Sequence, residues 1–274
     1  MASTSAIVEH YQRSDLGDAI LAALKVAGKD IDNLTTDDLA PVDEFHTRGR
    51  PATVDLARLL APKADDRVLD LGCGIGGPSR YLAKTFGCRV VGLDLMPEFC
   101  RVAAMLAKRT GLADRVEYRQ GDALALPFAD QSFDVVWSQN VVMNIADRDG
   151  LYVGIYRVLK PGGRYAFADV VAGNGGSLHF PVPWAKEPSA SALLTAEATR
   201  AKLAAAGFRI DVFEDQTSVA IAQQKARASV PNSQSALGVH LILGPDGPTM
   251  LKNTVRNFED GYAGLVQGVA TRSA

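Results

Sequence analysis

The sequence lacks an excess of charge and a long apolar run, and its first residues lack the pattern expected of a leader. Its 29 basic and 31 acidic residues give a net charge of -2, so no strongly basic surface argues for nucleic acid as a partner. Charged residues interrupt every apolar stretch before it reaches membrane-spanning length, and the first residues show no basic segment followed by an apolar one. These absences predict a cytoplasmic protein that binds neither nucleic acid nor a membrane.

Cysteine and histidine are also scarce. Cys73, Cys88 and Cys100 show no C-x-x-C spacing and lie in or beside apolar segments, so we expect small buried side chains in a reducing compartment. The four histidines are scattered, with no pair three or four residues apart, so we expect no metal site. The sequence therefore predicts neither metal chemistry nor a catalytic thiol.

A glycine-rich segment, "RVLDLGCGIGGPSRYLA", supplies the first functional signal. Its apolar residues at 67–71 predict a buried strand, and 78–83 predict the first turns of a helix. The turn between them has Gly72, Gly74 and Gly77 at the spacing G-x-G-x-x-G. Such a turn lets a ligand approach the backbone closely, and we expect it to point unpaired amide groups at a polar ligand beside the positive end of a helix.

This motif by itself leaves the ligand open. A dinucleotide fold needs a carboxylate about twenty residues further on, and Asp94 lies there at the end of "CRVVGLD". A site for S-adenosylmethionine (SAM) uses nearly the same parts. The turn therefore predicts an adenosine-containing cofactor without choosing between a nicotinamide cofactor and SAM.

Strand and helix patterns alternate from residue 67 onward, which predicts an α/β fold with a doubly wound, mostly parallel sheet. A last strand in "YAGLVQGVATR" is expected to be the antiparallel member of seven, beside the strand at 208–214. The other predicted strands are 67–71, 89–94, 116–120, 133–138 and 164–169.

Three parts of the chain are predicted to differ in role. Residues 1–60 form an N-terminal helical lid, with Ser14 as the N-cap of its first helix and a polar, turn-like segment "DLAPVDEFHTRG" before "RPATVDLARLLA". Residues 61–215 form the cofactor-binding core. Residues 216–274 form an inserted helical cap followed by the final antiparallel strand.

Polar residues follow several of the predicted strands. Asp94 can accept from both hydroxyls of a ribose, and Asp122 in "QGDALALPF" can accept from an adenine amino group. Gln139 and Asn140 emerge from "FDVVWSQN". Because open α/β sheets bind ligands at the carboxyl ends of their strands, these side chains are expected to meet at one site.

Four motifs together, "VLDLGCGIGG", "GLDL", "GDALALPFADQSFDVVWS" and "VLKPGG", make residues 67–214 resemble the class I SAM-dependent methyltransferases. The resemblance implies a Rossmann-like methyltransferase fold, SAM as the cofactor and S-adenosylhomocysteine (SAH) as the product. It places the methionine end of SAM at the Gly72 to Gly74 turn, the ribose at Asp94 and the adenine at Asp122 and Ala123. The implied cofactor-binding residues are Asp70, Gly72, Gly74, Gly76, Asp94, Leu95, Asp122, Ala123 and Gln139.

Two flanking segments, "LAPVDEFHTRGRPAT" and "HFPVPWAKEPS", are similar to bacterial sarcosine and dimethylglycine N-methyltransferases, which act on small molecules. Where those enzymes tend to show an Asp and a His after the fourth strand, this chain has Asn140 and Asn144. Two amides can orient a ligand, but they cannot take its proton near neutral pH. The identity of the methyl acceptor is therefore left open.

Methyl transfer from a sulfonium is an in-line displacement that depends mainly on positioning. The candidates for catalytic or orienting roles are His46, Asn140 and Asn144. Those for contact with the acceptor are Tyr11, Phe45, Met143, His179 and Trp184.

The leading interpretation is a monomeric or homodimeric methyltransferase that modifies a nitrogen or oxygen of a small metabolite. One alternative is a C-methyltransferase for an isoprenoid or polyketide-like acceptor, which an apolar wall of Phe45, Met143, Phe180 and Trp184 would suit. Another is a regulator that binds SAM without catalysis. A dehydrogenase is the remaining alternative.

Overall fold

Seven strands form one sheet, in a computed structural model that describes residues 11, 15–228 and 236–273. The strands are β1 (Arg67–Leu71), β2 (Arg89–Asp94), β3 (Val116–Gln120), β4 (Phe133–Gln139), β5 (Leu159–Ala172), β6 (Phe208–Asp215) and β7 (Ala263–Arg272). Their order is β3-β2-β1-β4-β5-β7-β6, and β7 alone runs opposite to the other six strands. The predicted fold class and the predicted position of the last strand are confirmed.

The two central strands fix where a ligand can enter. Val68 and Leu69 of β1 are fully buried, and Val68 is in register with Val90 of β2 and Val135 of β4. From this centre the chain proceeds outward in one direction through β2 and in the other through β5. The crevice at the carboxyl ends of β1 and β4 is therefore the topological switch point, where such sheets bind ligands.

Ten helices are described. They are α1 (Leu16–Val26), α2 (Thr36–Asp43), α3 (Arg50–Leu60), α4 (Gly77–Phe86), α5 (Pro97–Arg109), α6 (Arg148–Val158), α7 (Ala196–Ala205), α8 (Thr217–Ala228), α9 (His240–Leu243) and α10 (Gly247–Glu259). Leu56 of α3 and Leu82 of α4 pack in one cluster with Trp137, whereas Leu151 of α6 and Leu203 of α7 pack on the opposite face of the sheet. Both faces are thus covered, as a parallel sheet requires. No described helix is both long and apolar enough to cross a bilayer.

The segment predicted to be turn-like contains a helix, so that prediction is wrong. Thr35 Oγ1 accepts a hydrogen bond from Asp38 N at 3.1 Å, and the Asp38 carboxylate accepts one from Thr35 N at 2.9 Å. This reciprocal capping box starts α2, and Leu39 and Val42 bury its apolar side. Ser14, the predicted N-cap of α1, lies outside the described residues; α1 begins after Asp15.

The residues between β6 and β7 cover the same sheet edge as the N-terminal helices. Ile242 of α9 packs in one apolar cluster with Leu16 and Ile20 of α1. Phe258 of α10 packs with Trp184, which lies in the loop after β5. The lid and the insertion therefore meet over the carboxyl ends of the strands. The three-part domain division stays a prediction.

The capping box should be measurable as stability. We expect Thr35→Ala to lower the free energy of unfolding by about 1 kcal/mol, because the N–H of Asp38 loses its acceptor. Denaturant unfolding monitored by circular dichroism measures the loss. Thr36→Ala, one residue later, is the matched control; an equal loss in both variants would contradict the assignment.

Candidate active site

A cavity of about 310 Å³ opens at the carboxyl ends of β1, β2 and β4, between the sheet and the lid. Most of the predicted site residues line it. They are Tyr11, Phe45, His46, Asp70, Gly72, Gly74, Asp94, Leu95, Asp122, Ala123, Gln139, Asn140, Met143, Asn144 and Trp184. Among the predicted set, Gly76 and His179 do not line the cavity.

The glycine turn shapes one wall of this cavity. Gly72 and Gly74 have φ of +68° and +51°, in the left-handed region that favours glycine. A Cβ on Gly72 would lie 2.4 Å from a methyl group of Val141, whereas one on Gly74 would meet nothing within 4 Å. Gly72 is therefore required for packing, and Gly74 leaves space at the cavity wall.

The amides of this turn are not unpaired, which corrects the sequence expectation. Gly72 N and Cys73 N both donate to Leu93 O, at 2.7 Å and 3.1 Å, and Gly74 N donates to the Asp94 carboxylate at 2.8 Å. Gly76 has a different role: a Cβ there would lie 2.3 Å from Tyr118 Oη. It permits Tyr118 to pack at the start of α4.

Two carboxylates at strand ends are held where water is excluded. Asp94 accepts from Gly74 N and, at 2.9 Å, from Met96 N, and burial raises the pKa of its carboxyl to about 6. Asp70 accepts from Ser79 Oγ, and burial raises the pKa of Asp70 to about 7. Asp94 is therefore largely ionised at neutral pH, whereas Asp70 becomes largely ionised only above about pH 7. Burial opposes ionisation of both groups, and a cationic ligand would favour it.

Gln139 presents a free donor. Its Oε1 accepts from Trp137 Nε1 at 3.1 Å and lies 3.1 Å from Thr53 Oγ1. Because an indole nitrogen can only donate, this contact fixes the orientation of the amide. The Nε2 atom of Gln139 is buried and has no hydrogen-bond partner. A buried donor of this kind is costly unless a ligand accepts from it.

Asp43 presents a free acceptor in the same cavity wall. Its Oδ1 contacts Arg80 Nη2 at 2.5 Å, in an ion pair whose two side chains have no exposed surface. Its Oδ2 is buried without a hydrogen-bond partner. Burial raises the pKa of Asp43 to about 6 although Arg80 opposes that shift.

A buried network connects the lid to β4. Glu44 Oε2 lies 2.8 Å from His46 Nε2 and accepts from Thr53 Oγ1 at 2.8 Å. Burial alone would raise the pKa of Glu44, but the contacts with His46 and Thr53 and the charge of Arg50 hold it below its ordinary value. Glu44 was expected from sequence to lie near His46 but had no predicted role, and Asp43 and Thr53 were not predicted to belong to the site. The acidic pair directly before "FH" was the signal available.

The predicted catalytic residues are all engaged in contacts within the protein. His46 has Nε2 against Glu44 and Nδ1 3.3 Å from Thr47 O. The amide nitrogen of Asn140 donates to Thr47 Oγ1 at 3.0 Å. The amide nitrogen of Asn144 donates to Trp184 O at 2.6 Å and to Ala190 O at 3.0 Å. Asn144 therefore holds the loop that carries Trp184.

Aromatic and apolar side chains form the rest of the wall. Tyr11 makes edge contacts with Phe45 and Phe99, with ring centroids 6.3 Å and 6.1 Å apart. Burial, with a contribution from the charge of Asp94, raises the pKa of Tyr11 far above its ordinary range. Met143 and Trp184 also line the cavity, and both side chains are nearly fully buried.

His179 lies outside the cavity, contrary to its predicted contact with the acceptor. Its Nε2 is 2.8 Å from Asp260 Oδ2, and its backbone N donates to Asn257 Oδ1 at 2.8 Å. Both partners lie at the end of the inserted cap. The loop after β5 is therefore held against the inserted cap at His179, away from the cavity, and it lines the cavity again at Trp184.

Comparison with known proteins agrees with the fold and the motifs. Residues 69–167 match the family described as "Methyltransferase domain", so the chain contains a methyltransferase domain and its predicted family resemblance is confirmed. Among curated proteins, the chain is 38% identical over 134 residues to "Methyltransferase GfsG" of Streptomyces halstedii, which covers 49% of this chain and 48% of that protein.

A second relative is the "Glycine/sarcosine/dimethylglycine N-methyltransferase" of Actinopolyspora halophila. It is 35% identical over 132 residues, which is 48% of this chain and 23% of that protein. In both relatives the match spans less than half of the relative's length.

The geranyl diphosphate C-methyltransferase of Streptomyces coelicolor A3(2) shares the fold over nearly the whole chain. Its structure with Mg²⁺, geranyl-S-thiolodiphosphate and SAH has a TM-score of 0.72 to this protein, with 20% identity, and the match covers 99% of this chain and 98% of the other. At that identity the likeness concerns the fold alone.

The buried carboxylates should titrate separately from exposed ones. By carbon NMR of labelled aspartate, we expect Asp94 to titrate near pH 6 and Asp70 near pH 7, because burial disfavours their charged forms. Asp38, whose bonds to Lys29 and Thr35 hold its pKa at about 2, is the control. Ser79→Ala should raise the Asp70 midpoint further; a lowered midpoint would contradict the hydrogen bond.

Proposed function

We propose that this protein transfers a methyl group from SAM to a nitrogen or oxygen nucleophile of a small metabolite. The observation that carries the proposal is the cavity at the switch point, where Asp94, Asp43 and Gln139 present two buried carboxylates and one unsatisfied donor. These groups match a cationic nucleoside that ends in an amino acid.

The residues present fit SAM at three places. Asp94 and Leu95 would contact the ribose, and Asp122 and Ala123 would contact the adenine; all four line the cavity. At the other end, Asp43 Oδ2 would accept from the ammonium group, and Gln139 Nε2 would donate to the carboxylate. The space beside Gly74 leaves room between these ends.

When bound, SAM supplies a methyl group on a sulfonium, which is already an activated leaving group. The chain would orient the two reactants and exclude water from them. The lid and the insertion would keep water out, and Phe45, Met143 and Trp184 would contact the acceptor. We assign His46, Asn140 and Asn144 to orientation, since both ring nitrogens of His46 face protein oxygens and both amide groups hold neighbouring loops.

C-methylation of an isoprenoid or polyketide-like acceptor is the alternative. Phe45, Met143 and Trp184 line the cavity, as that alternative requires, whereas Phe180 does not. The comparisons include C-methyltransferases as well as N-methyltransferases, which fits either chemistry. A SAM-binding regulator without catalysis would use the same cavity.

We retain the sequence-based predictions about cellular location, partners and oligomeric state as proposals. We propose a cytoplasmic protein, in line with three buried free cysteines. We also propose a small-molecule acceptor, no nucleic-acid partner and a monomer or homodimer.

Incubation with methyl-labelled SAM and fractionated metabolites tests the proposed activity. We expect label to move to a small molecule while SAH accumulates. SAM that binds without any transfer would favour the regulator. Binding of NADH in place of SAM, measured by tryptophan fluorescence, would overturn the proposal.

The role of Asp94 can be tested by removing its charge. We expect Asp94→Asn to weaken SAM binding by about tenfold or more, because a charged acceptor becomes a neutral amide with one acceptor fewer. Calorimetry measures the change. Asp114→Asn, at an exposed position, is the control, and unchanged affinity in Asp94→Asn would contradict the assignment.

SAM affinity should also depend on pH. Asp94 and Asp70 take up protons as pH falls through about 6 and about 7, so the negative charge that favours a sulfonium cation is lost on acidification. We expect SAM affinity to fall about tenfold between about pH 8 and about pH 5.5. SAH, which lacks the sulfonium charge, should lose less; an equal loss for both ligands would contradict this explanation.

A further inference from the structure

The wall of the active-site cavity is acidic and has almost no positive charge. Its acidic residues are Asp43, Asp70, Asp94, Asp122 and Asp147. Among the described residues that line it there is no lysine or arginine, and the one basic side chain is His46, already paired with Glu44.

The nearest arginines do not offset this charge at the cavity surface. Arg80 pairs with Asp43 and has no exposed side-chain surface, and Arg50 pairs with Glu44. Arg48 pairs with Asp55 and hydrogen-bonds to Gln216 and Gln223 of the insertion. These guanidinium groups tie the lid to the core and to the cap, behind the cavity wall.

The other four aspartates of the wall have no ion-pair partner within the described part of the chain. Asp70 accepts from Ser79 Oγ, and Asp94 from backbone N–H groups. Asp122 and Asp147 cap local turns, through Leu124 N and Gly150 N. Hydrogen-bond donors, and no lysine or arginine, hold these four carboxylates, so the described cavity wall offers an anionic ligand no lysine or arginine as a partner.

An anionic acceptor would therefore enter against repulsion. In a closed cavity of low effective dielectric, like charges separated by several ångströms repel strongly, and one bound SAM cation offsets a single charge. Apart from the amides of Asn140 and Asn144, the lining on the side of Trp184 is apolar, with Met143, Ile145 and Pro183. Apolar contact is what this wall offers to an acceptor.

A metal ion could in principle carry an anion into an acidic site. However, the described residues include no group of three or more His, Cys, Asp or Glu side chains arranged to hold a metal ion. The five aspartates are spread around the cavity on separate elements. A diphosphate with Mg²⁺, as in the structural relative, has no prepared ligand set there.

We propose that the methyl acceptor is an uncharged, largely apolar molecule, and that the part of the cavity around Trp184 rejects acceptors that carry a diphosphate, phosphate or carboxylate group. This inference rests on the proposed methyltransferase function. It separates this protein from two acceptor types named for its relatives, amino acids that carry a carboxylate and a prenyl diphosphate.

Matched pairs of probes that differ in charge test the inference. Binding of geraniol is compared with that of geranyl diphosphate plus Mg²⁺, and decanol with decanoate, on protein loaded with SAH, by calorimetry and tryptophan fluorescence. We expect each uncharged probe to bind at least about tenfold more tightly than its anionic partner. Equal or tighter binding of the anions, or no binding of either uncharged probe, would overturn the inference.

The two proposals fail in different ways. If SAH itself does not bind, the methyltransferase function fails. The same probe pairs are then measured on the protein without SAH, where the five aspartates are unchanged, so the preference for uncharged molecules is still decided.

A charge placed on the wall provides a second test. Met143→Lys adds a cation next to Trp184, and Met143→Gln is the neutral control of similar size. We expect the lysine variant to shift the ratio of anion to alcohol binding at least about tenfold toward the anion, and the glutamine variant to leave it unchanged. An equal shift in both variants would contradict an electrostatic origin. The wild-type measurement stands by itself if the lysine variant does not fold.

Discussion

The architecture of the site depends on the buried ion pair between Arg80 and Asp43. Arg80 lies in α4, directly after the glycine turn, and also donates to Ile75 O at 2.8 Å. Asp43 ends α2 of the lid, and its backbone approaches Gly77 so closely that a Cβ there would lie 2.6 Å from Asp43 O. One contact therefore fixes the lid, the turn and the first helix of the core relative to each other. Removal of either partner would leave a buried charge unpaired, which typically costs about 3–5 kcal/mol.

The elements that were predictable from sequence are those with local signals. β1, β2 and β3 have the predicted bounds, because each is a short run bounded by turn residues. The helix α2 was missed because its capping box uses Asp38 in place of the more common Glu or Gln, and because Pro41 lies inside it. β5 extends to Ala172, beyond the predicted end, since β7 pairs with it along its whole second half.

The site residues also divide into those that a local sequence pattern predicts and those that depend on contacts between distant parts of the chain. Asp70 and Asp94 lie at strand ends, so a pattern of alternating strands and helices was enough to predict that they line the cavity. Thr53 contacts Gln139 across 86 positions of the chain, and no local pattern reports such a contact. His179 was predicted to face the acceptor from its position after β5, but Asn257 and Asp260 of the insertion set the direction of that loop.

The position of β7 has a consequence for how the protein is made. β7 completes the sheet between β5 and β6, yet it follows both strands and the whole inserted cap in the chain. During synthesis on a ribosome, the edge of β5 that pairs with β7 stays unpaired while the inserted cap emerges. The inserted cap and the strand that joins β5 to β6 are therefore added in the same late step, so the sheet beneath the site stays incomplete until β7 has been translated.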